Sequence, residues 1–344
     1  MTAANVALAA RPDQVPSGTE GICSLLRYKA VFGQPRWRDV PKEIRALDPS
    51  VQVWEERSLL YACGGCDQTA FRLDWVRRHH PDWIMHTASG AEVHPLRHPS
   101  WVLLAFGDAQ YQDAWANEVR KSLAAGGWTG VDIVDAGNRP RWSGTPVDPA
   151  TGRPLAEEDR VTDLAEALSL IHAAMRTQGF FVLAQNGPPG VIEPAEINSA
   201  DGVAAGDGFA ALRGWRWERL LRYYQQVQKE AGWAYVWETA PAGDQRRIVY
   251  GLASYLLVAT PNGAYGAPAG TAPAAVYDLD LGPPDPGTPV ARIGEAWARS
   301  YPSGFVAVNP SDLSTTLSMG RAGRVTLPPG SAAIAAGTRL VTTF

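Results

Sequence analysis

Two acidic side chains that end predicted strands form the candidate catalytic pair of this sequence. Asp135 closes the run 128–135, and Glu238 closes the run 233–238. Two carboxyl groups that face one pocket can divide acid–base chemistry, because one donates a proton while the other attacks or activates water. We predict Asp135 as nucleophile or base and Glu238 as acid, its pKa raised by burial and by contact with Trp237. In the structural alternative, each carboxylate caps a loop or pairs with an arginine.

Further carboxyl groups lie within the predicted strand 51–60. Glu55 and Glu56 are adjacent, so strand alternation directs one of them into the interior of a barrel and the other outward. Arg57 follows them directly, which favours a structural ion pair with one of the two acids. We assign Glu55 a substrate-binding role.

Asp132 lies on the same predicted strand as Asp135, three residues earlier. Side chains three positions apart on a strand face opposite sides of the sheet. At most one of these two aspartates therefore lines a central cavity.

Polar side chains on or after other predicted strands could hydrogen-bond a hydroxyl-rich substrate. We expect the strands to place them near the acids. The predicted substrate-binding residues are Arg27, Tyr28, Glu55, His86, Asn186 and Trp237.

The three cysteines include one closely spaced pair, Cys63-Gly-Gly-Cys66. This spacing also occurs in redox and metal sites, but a zinc site needs a second pair. We therefore favour a structural role, either as free thiols or as one local disulfide. The odd number leaves at least one thiol unpaired or intermolecular.

No motif indicates a metal or an organic cofactor, and we predict none. His94 and His98 are four residues apart, but Pro95 and Pro99 oppose a helix that would bring them together. The sequence contains no Walker loop, no Rossmann glycine fingerprint and no G-x-S-x-G elbow.

Composition limits the partners. The 344 residues carry a formal net charge of -4 without a basic cluster, which argues against a nucleic-acid partner. No apolar run reaches the length of a membrane span. The first 17 residues lack the pattern of a secretory leader, so either the protein stays inside the cell or an export signal was removed. The sequence does not determine the oligomeric state. The 13 tryptophans suit a sugar-binding cleft and a large buried core about equally.

Predicted strands and helices alternate along most of the chain. The first strand is predicted at 22–32 and a short third strand at 83–86, while the apolar run 252–258 fits either the last helix or the last strand. This pattern is typical of parallel strands covered by helices, and the length fits a (β/α)8 barrel.

The clearest predicted helix is 109–123. Asp108 is placed to cap its first turn, and Gly126-Gly127 ends it. Tyr111, Trp115 and Val119 repeat at helical spacing and should face the barrel.

After residue 264 the sequence consists of short runs of alternating apolar and polar residues, separated by Asn-Pro and Pro-Gly turns. This pattern predicts a small antiparallel β-sandwich. We divide the chain into an irregular segment 1–20, a barrel 21–264 and a β-domain 265–344.

Four segments resemble glycoside hydrolases of the GHL type. The run 106–115, FGDAQYQDAW, is similar to their D-x-x-Y-x-x-x-W helix start, and TGVDIVDAGN at 129–138 is similar to their strand D-G-V-F-L-D-D. GLASYLLVA at 251–259 and RSYPSGFVAVNPS at 299–311 resemble their L-A-S-Y-L-L segment and the R-x-Y-x-N-G-x-V-x-V-N-P-S run of their terminal β-domain.

The resemblance implies a barrel enzyme that cleaves an oligo- or polysaccharide with two carboxyl groups. It also favours an extracellular or cell-surface location. Thr129, Val134 and Leu212 stand where the family pattern has acids. A non-catalytic barrel that binds glycans or a protein partner is therefore the alternative hypothesis.

Overall fold

The chain forms two compact units. The computed structural model describes residues 9–12, 14–137, 141–149, 151–186, 200–205, 208–229, 232–238, 241, 244–259, 261–267, 276, 279–283 and 287–343. One unit comprises Arg11–Leu26 and Val31–Gly202, and the other comprises Met1–Ala10, Arg27–Ala30 and Val203–Phe344. The predicted domain boundaries at residues 20 and 264 stay a prediction.

Eight of the first ten described strands belong to one parallel sheet. In chain order these ten are β1 (Ala9–Ala10), β2 (Ala30–Gly33), β3 (Gln52–Arg57), β4 (Tyr61–Ala62), β5 (Val102–Leu103), β6 (Gly130–Ile133), β7 (Phe181–Asn186), β8 (Gly202–Ala205), β9 (Trp233–Trp237) and β10 (Gly263–Gly266). β4 pairs with β5, and the others follow the order β1-β2-β3-β6-β7-β8-β9-β10. This sheet is a nearly closed parallel barrel, so the predicted (β/α)8 fold is confirmed.

Helices follow the barrel strands along the chain. They are α1 (Gly18–Cys23), α2 (Val40–Leu47), α3 (Leu73–His79), α4 (Ala109–Gly126), α5 (Glu157–Arg176), α6 (Gly214–Lys229) and α7 (Gln245–Val258). Among the described helices, none has the length and apolar character needed to cross a bilayer.

Helix α4 begins and ends as its sequence predicts. The carboxylate of Asp108 accepts a hydrogen bond from the backbone N–H of Tyr111 at 2.8 Å and caps the first turn. Gly127 ends the helix with φ 75°, a conformation that glycine adopts without strain. Tyr111, Trp115 and Val119 are fully buried, as their helical spacing predicts.

The register of the central strands decides which side chains share a face. β3 pairs with β6 so that Glu56 lies beside Asp132, while Glu55 lies beside Val131. Neighbours in register point to the same side of a sheet. Gly130 permits this arrangement, because a Cβ at that position would clash with the carbonyl oxygen of Phe181 on β7.

Several predicted strands lie elsewhere. The predicted first strand 22–32 is the end of α1 followed by β2, and the predicted third strand 83–86 lies outside the barrel sheet. The run 252–258, ambiguous between helix and strand, is the end of α7, and β10 is the last barrel strand. Every residue of α7 from Ile248 to Val258 is buried, so this run shows no helical periodicity of apolar and polar residues that could separate helix from strand.

The C-terminal residues form two antiparallel sheets. β11 (Ala291–Ile293), β12 (Ala296–Tyr301), β13 (Gly304–Asn309), β16 (Ser331–Ala336) and β17 (Arg339–Thr342) form one, and β14 (Thr315–Ser318) pairs with β15 (Arg324–Leu327). Small and aliphatic side chains of both sheets share one core, among them Ala298, Leu317, Leu327 and Ala333. The predicted β-sandwich is confirmed.

Arg299 joins this sandwich to the end of α7. Its Nη1 atom donates to the carbonyl oxygens of Leu257 at 3.1 Å and Ala259 at 2.8 Å, and the hydroxyl of Tyr301 donates to that of Leu256. The last carbonyls of a helix have no partner within the helix, and a cation there also matches the helix dipole. Arg299 is 4% exposed.

We expect Arg299→Met to lower the free energy of unfolding by about 2–3 kcal/mol, because buried carbonyl groups lose their donor. Arg292→Met is the matched control, since Arg292 is exposed on β11 of the same sheet, and it should change stability by less than about 0.5 kcal/mol. Urea unfolding of the whole protein measures both. Equal stability of the two variants would contradict this role for Arg299.

Candidate active site

Asp135 follows β6 and holds the turn that follows β3. Its Oδ1 atom accepts the backbone N–H of Leu59 at 2.9 Å, and Oδ2 accepts the N–H of Leu60 at 3.0 Å and the hydroxyl of Ser58 at 2.5 Å. Burial raises the pKa of Asp135, although the donors from Ser58, Leu59 and Leu60 favour the ionised form. These contacts match the structural alternative, in which the carboxylate caps a loop. The catalytic role of Asp135 stays a prediction.

Glu238 follows β9, in the other compact unit, and makes equivalent contacts there. Its two carboxylate oxygens accept the backbone N–H groups of Phe209 at 2.8 Å and Ala210 at 2.9 Å. A Cβ at Gly208 or Gly251 would clash with the carboxylate, so both glycines make room for it. Glu238 is 1% exposed, and its predicted role as acid also stays a prediction. Trp237, the last residue of β9, is half-buried.

Arg27 and Tyr28 precede β2 and therefore lie at its amino end. The guanidinium of Arg27 is exposed; it donates to the Tyr28 hydroxyl at 2.9 Å and its carbon lies 4.9 Å from the ring centroid. In (β/α)8 barrels the active site lies at the carboxyl ends of the strands. The predicted strand 22–32 placed these residues within a strand, whereas the observed β2 begins after them.

Two other predicted substrate-binding residues lie beyond β3 and at the end of β7. His86 is half-buried, and its backbone forms bridges with Glu92 and Val147. Asn186 is the last residue of β7, but its side chain lies outside the described residues, as do positions 187–199 after it.

Glu55 faces the helix layer. Its carboxylate accepts hydrogen bonds from the Nε atom of Arg57 at 2.5 Å and from the hydroxyl of Ser122 on α4 at 2.9 Å. Glu55 is fully buried. This is the ion pair predicted for one of the two neighbouring acids. Because Glu55 points outward, strand alternation directs Glu56 to the inner face.

Glu56 and Asp132 form a pair of acids on that inner face, near the carboxyl ends of β3 and β6. Arg11, which directly follows β1, binds both with the same Nη2 atom: it contacts Oε1 of Glu56 and lies 3.5 Å from Oδ2 of Asp132. The same atom lies 3.4 Å from Oε1 of Gln185 on β7. We refer to Arg11, Glu56 and Asp132 as the acid cluster.

Burial sets the protonation of the acid cluster. It raises the pKa of Asp132 to about 8; Arg11 lowers that pKa, and the charges of Glu56 and Asp135 raise it further. Burial also raises the pKa of Glu56, against the opposing effect of Arg11. Apart from the Arg11 guanidinium at 3.5 Å, no donor among the described residues reaches either carboxylate oxygen of Asp132. The cluster thus contains a carboxyl group that carries its proton near neutral pH.

The sequence pointed to Asp135 and Glu238 because both end predicted strands, and it assigned no role to Glu56 or Asp132. No sequence pattern indicated a role for Arg11, because it lies in a segment predicted to be irregular. Only the register of β3 with β6 brings Glu56 and Asp132 together.

The cysteine pair forms a local disulfide between Cys63 and Cys66, whose Cα atoms are 5.9 Å apart. It closes the loop after β4, and the backbone N–H of Leu73 on α3 donates to the Cys63 carbonyl at 3.0 Å. Cys23 is free and exposed. No group of three or more His, Cys, Asp or Glu side chains within the described ranges could hold a metal ion.

Comparison with known proteins identifies the fold. No protein-family model and no curated protein matches the sequence. The structure is similar to the maltogenic α-amylase AmyB of Thermotoga neapolitana, with a TM-score of 0.56 and 10% identity over 99% of both chains. It is also similar to the GH36 α-galactosidase AgaA of Geobacillus stearothermophilus, with a TM-score of 0.53 and 12% identity over 98% of this chain and 55% of that one.

A third similar structure is the type III pullulan hydrolase of Thermococcus kodakarensis, with a TM-score of 0.51, 11% identity, and coverage of 94% of this chain and 74% of that one. The chain therefore shares its barrel fold with these three enzymes. At these identities the likeness concerns the fold alone, and no sequence family supports the resemblance to the GHL type in particular.

We expect Asp135→Asn to lower the free energy of unfolding by about 1–3 kcal/mol, because the new amide would direct an N–H group at one of the buried backbone donors. Asp113→Asn is the control, since Asp113 is exposed on α4. Denaturant titration of both variants tests the role. If Asp135→Asn had the same free energy of unfolding as the wild type, the contacts of Asp135 would not stabilise the fold.

We expect Asp132→Asn to change the pH dependence of stability. The pKa of Asp132 is raised from 3.8 to about 8 by burial, so the folded state favours the protonated carboxyl. The contribution of this carboxyl to the free energy of unfolding is complete below about pH 4 and is lost as the pH rises toward 8. Asparagine cannot ionise, so the variant should gain melting temperature over the wild type from pH 5 to pH 9. Parallel pH profiles of the two proteins would contradict the raised pKa.

Proposed function

We propose that this protein is a glycoside hydrolase that cleaves glycosidic bonds in an oligo- or polysaccharide, with Glu56 and Asp132 as its reacting acids. The observation that carries the proposal is the buried pair itself. Its two carboxyl groups lie side by side on the inner face of adjacent barrel strands, near the carboxyl ends where barrel enzymes have their active sites. The fold shared with glycoside hydrolases supports this class of reaction.

The two acids have different tasks in this mechanism. Asp132 carries a proton near neutral pH, as a general acid must, and donates it to the glycosidic oxygen as the C–O bond breaks. Glu56, ionised beside Arg11, attacks the anomeric carbon or takes a proton from the attacking water.

The spacing of the two acids suits this chemistry. One carboxylate oxygen of each lies within 3.5 Å of the Arg11 Nη2 atom, so these oxygens are at most twice that distance apart, about 7 Å. Carboxyl separations of about 5–5.5 Å serve retaining glycosidases, and about 6.5–9.5 Å serve inverting ones.

The pair predicted from the sequence, Asp135 and Glu238, is the alternative catalytic assignment. Both acids follow barrel strands, as that assignment requires. Each also accepts hydrogen bonds from backbone N–H groups, and a reacting carboxylate would have to weaken those bonds during turnover.

A second candidate function is a non-catalytic barrel that binds glycans or a protein partner. The observation that favours it is the use of Asp135 and Glu238 to hold backbone turns. Such contacts preserve a fold without requiring turnover.

Activity measurements on four amide variants separate these proposals. The panel of substrates begins with maltooligosaccharides, pullulan and raffinose and extends to other neutral and amino-sugar glycans. We expect Glu56→Gln and Asp132→Asn to lower kcat by about 100-fold or more, because each removes a proton-transfer group or nucleophile. Asp135→Asn and Glu238→Gln should retain activity within about tenfold per folded molecule.

The reverse pattern, with loss only in Asp135→Asn and Glu238→Gln, would support the alternative pair. Glycan binding without hydrolysis by the wild type would support the non-catalytic barrel. Circular dichroism of every variant provides the measure of folded protein.

A further inference from the structure

Arg11 touches inner-face side chains from four barrel strands. Its guanidinium lies 5.9 Å from the ring centroid of Phe32 on β2, and its Nη2 atom reaches Glu56, Asp132 and Gln185 on β3, β6 and β7. Its side chain is 27% exposed, whereas those of Glu56 and Asp132 are 5% and 0% exposed. Arg11 is thus the member of the acid cluster that solvent reaches.

The contacts of Arg11 with the two acids are unequal. The guanidinium is in direct contact with Glu56 and lies 3.5 Å from Asp132. A cation stabilises the nearer carboxylate more strongly, because Coulomb attraction falls with distance. Glu56 is therefore the acid that gains more from ionising.

We propose that Arg11 is a positioning residue that keeps Glu56 ionised and leaves the proton of the pair on Asp132. This inference rests on the proposed function, because the division of labour matters only if both acids react. Arg11 itself need not touch the substrate. It acts by deciding which carboxyl group is the acid and which is the nucleophile or base.

The charges of the cluster support this role. Two carboxylates close together in a buried site cannot both stay ionised at neutral pH without compensation. One negative charge on Glu56, one positive charge on Arg11 and a neutral Asp132 sum to zero, the state that is least costly to bury. Among the described residues, the charge of Asp135 also acts on Asp132 and favours its neutral form.

Loss of the guanidinium reverses the preference. Without the guanidinium, nothing from Arg11 opposes the effect of burial on Glu56, so the pKa of its carboxyl rises further. The proposed reaction needs ionised Glu56, so the acid limb of the pH profile of kcat/KM should move to higher pH. Lysine at the same position keeps the positive charge but loses the planar fork, and should restore part of the effect.

The test is a ¹³C NMR titration of the protein labelled at its Glu and Asp carboxyl carbons, without substrate. Glu56→Gln and Asp132→Asn assign the two signals. In the wild type, Glu56 should ionise at lower pH than Asp132. In Arg11→Gln the Glu56 midpoint should rise by about 1–3 pH units, and in Arg11→Lys by less. Arg78→Gln, on the exposed face of α3, should change neither signal.

An unchanged Glu56 midpoint in Arg11→Gln, or ionisation of Asp132 before Glu56 in the wild type, would overturn the inference. The order of ionisation in the wild type and the Arg11→Lys data decide the matter if Arg11→Gln does not fold. The titration needs no turnover. If it succeeds while Glu56→Gln and Asp132→Asn retain full glycosidase activity, only the proposed function fails. In an active enzyme, the acid limb of kcat/KM should move with the Glu56 midpoint.

Discussion

Two carboxyl groups lie side by side on the inner face of the barrel because the register of β3 with β6 pairs Glu56 with Asp132. Buried like charges repel strongly when no solvent separates them, so the pair persists only if its net charge is reduced. Arg11 supplies a cation, and burial keeps a proton on Asp132. The proposed reaction and the proposed role of Arg11 both follow from this balance of charge.

The hydrogen-bond donors around a carboxylate indicate whether it stabilises the fold or can take part in chemistry. Asp135 and Glu238 each accept backbone N–H groups, and so they stabilise turns in their own compact units. Asp132 has the same functional group but no such donor among the described residues. A carboxyl group without donors is more easily protonated, and this difference is why we place the chemistry on Asp132.

Much of the fold could be predicted, because it depends on local patterns. The cap at Asp108, the buried face of α4 and the short strands of the C-terminal sandwich all follow from neighbouring residues. Predictions failed where local patterns were ambiguous. The end of α7 is apolar on every side, and the run 83–86 has the composition of a strand but lies outside the barrel sheet.

By itself, the sequence determined the class of fold, the positions of the acids along the chain and the pairing of Cys63 with Cys66 as one of two structural options. Periodicity, turn residues and short spacings carry that information. The tertiary structure decided which acids meet, because strand register and the side of the sheet depend on contacts between distant segments. It also placed Arg11, from a segment without any regular pattern, against Glu56 and Asp132, since only the folded barrel brings these three residues together.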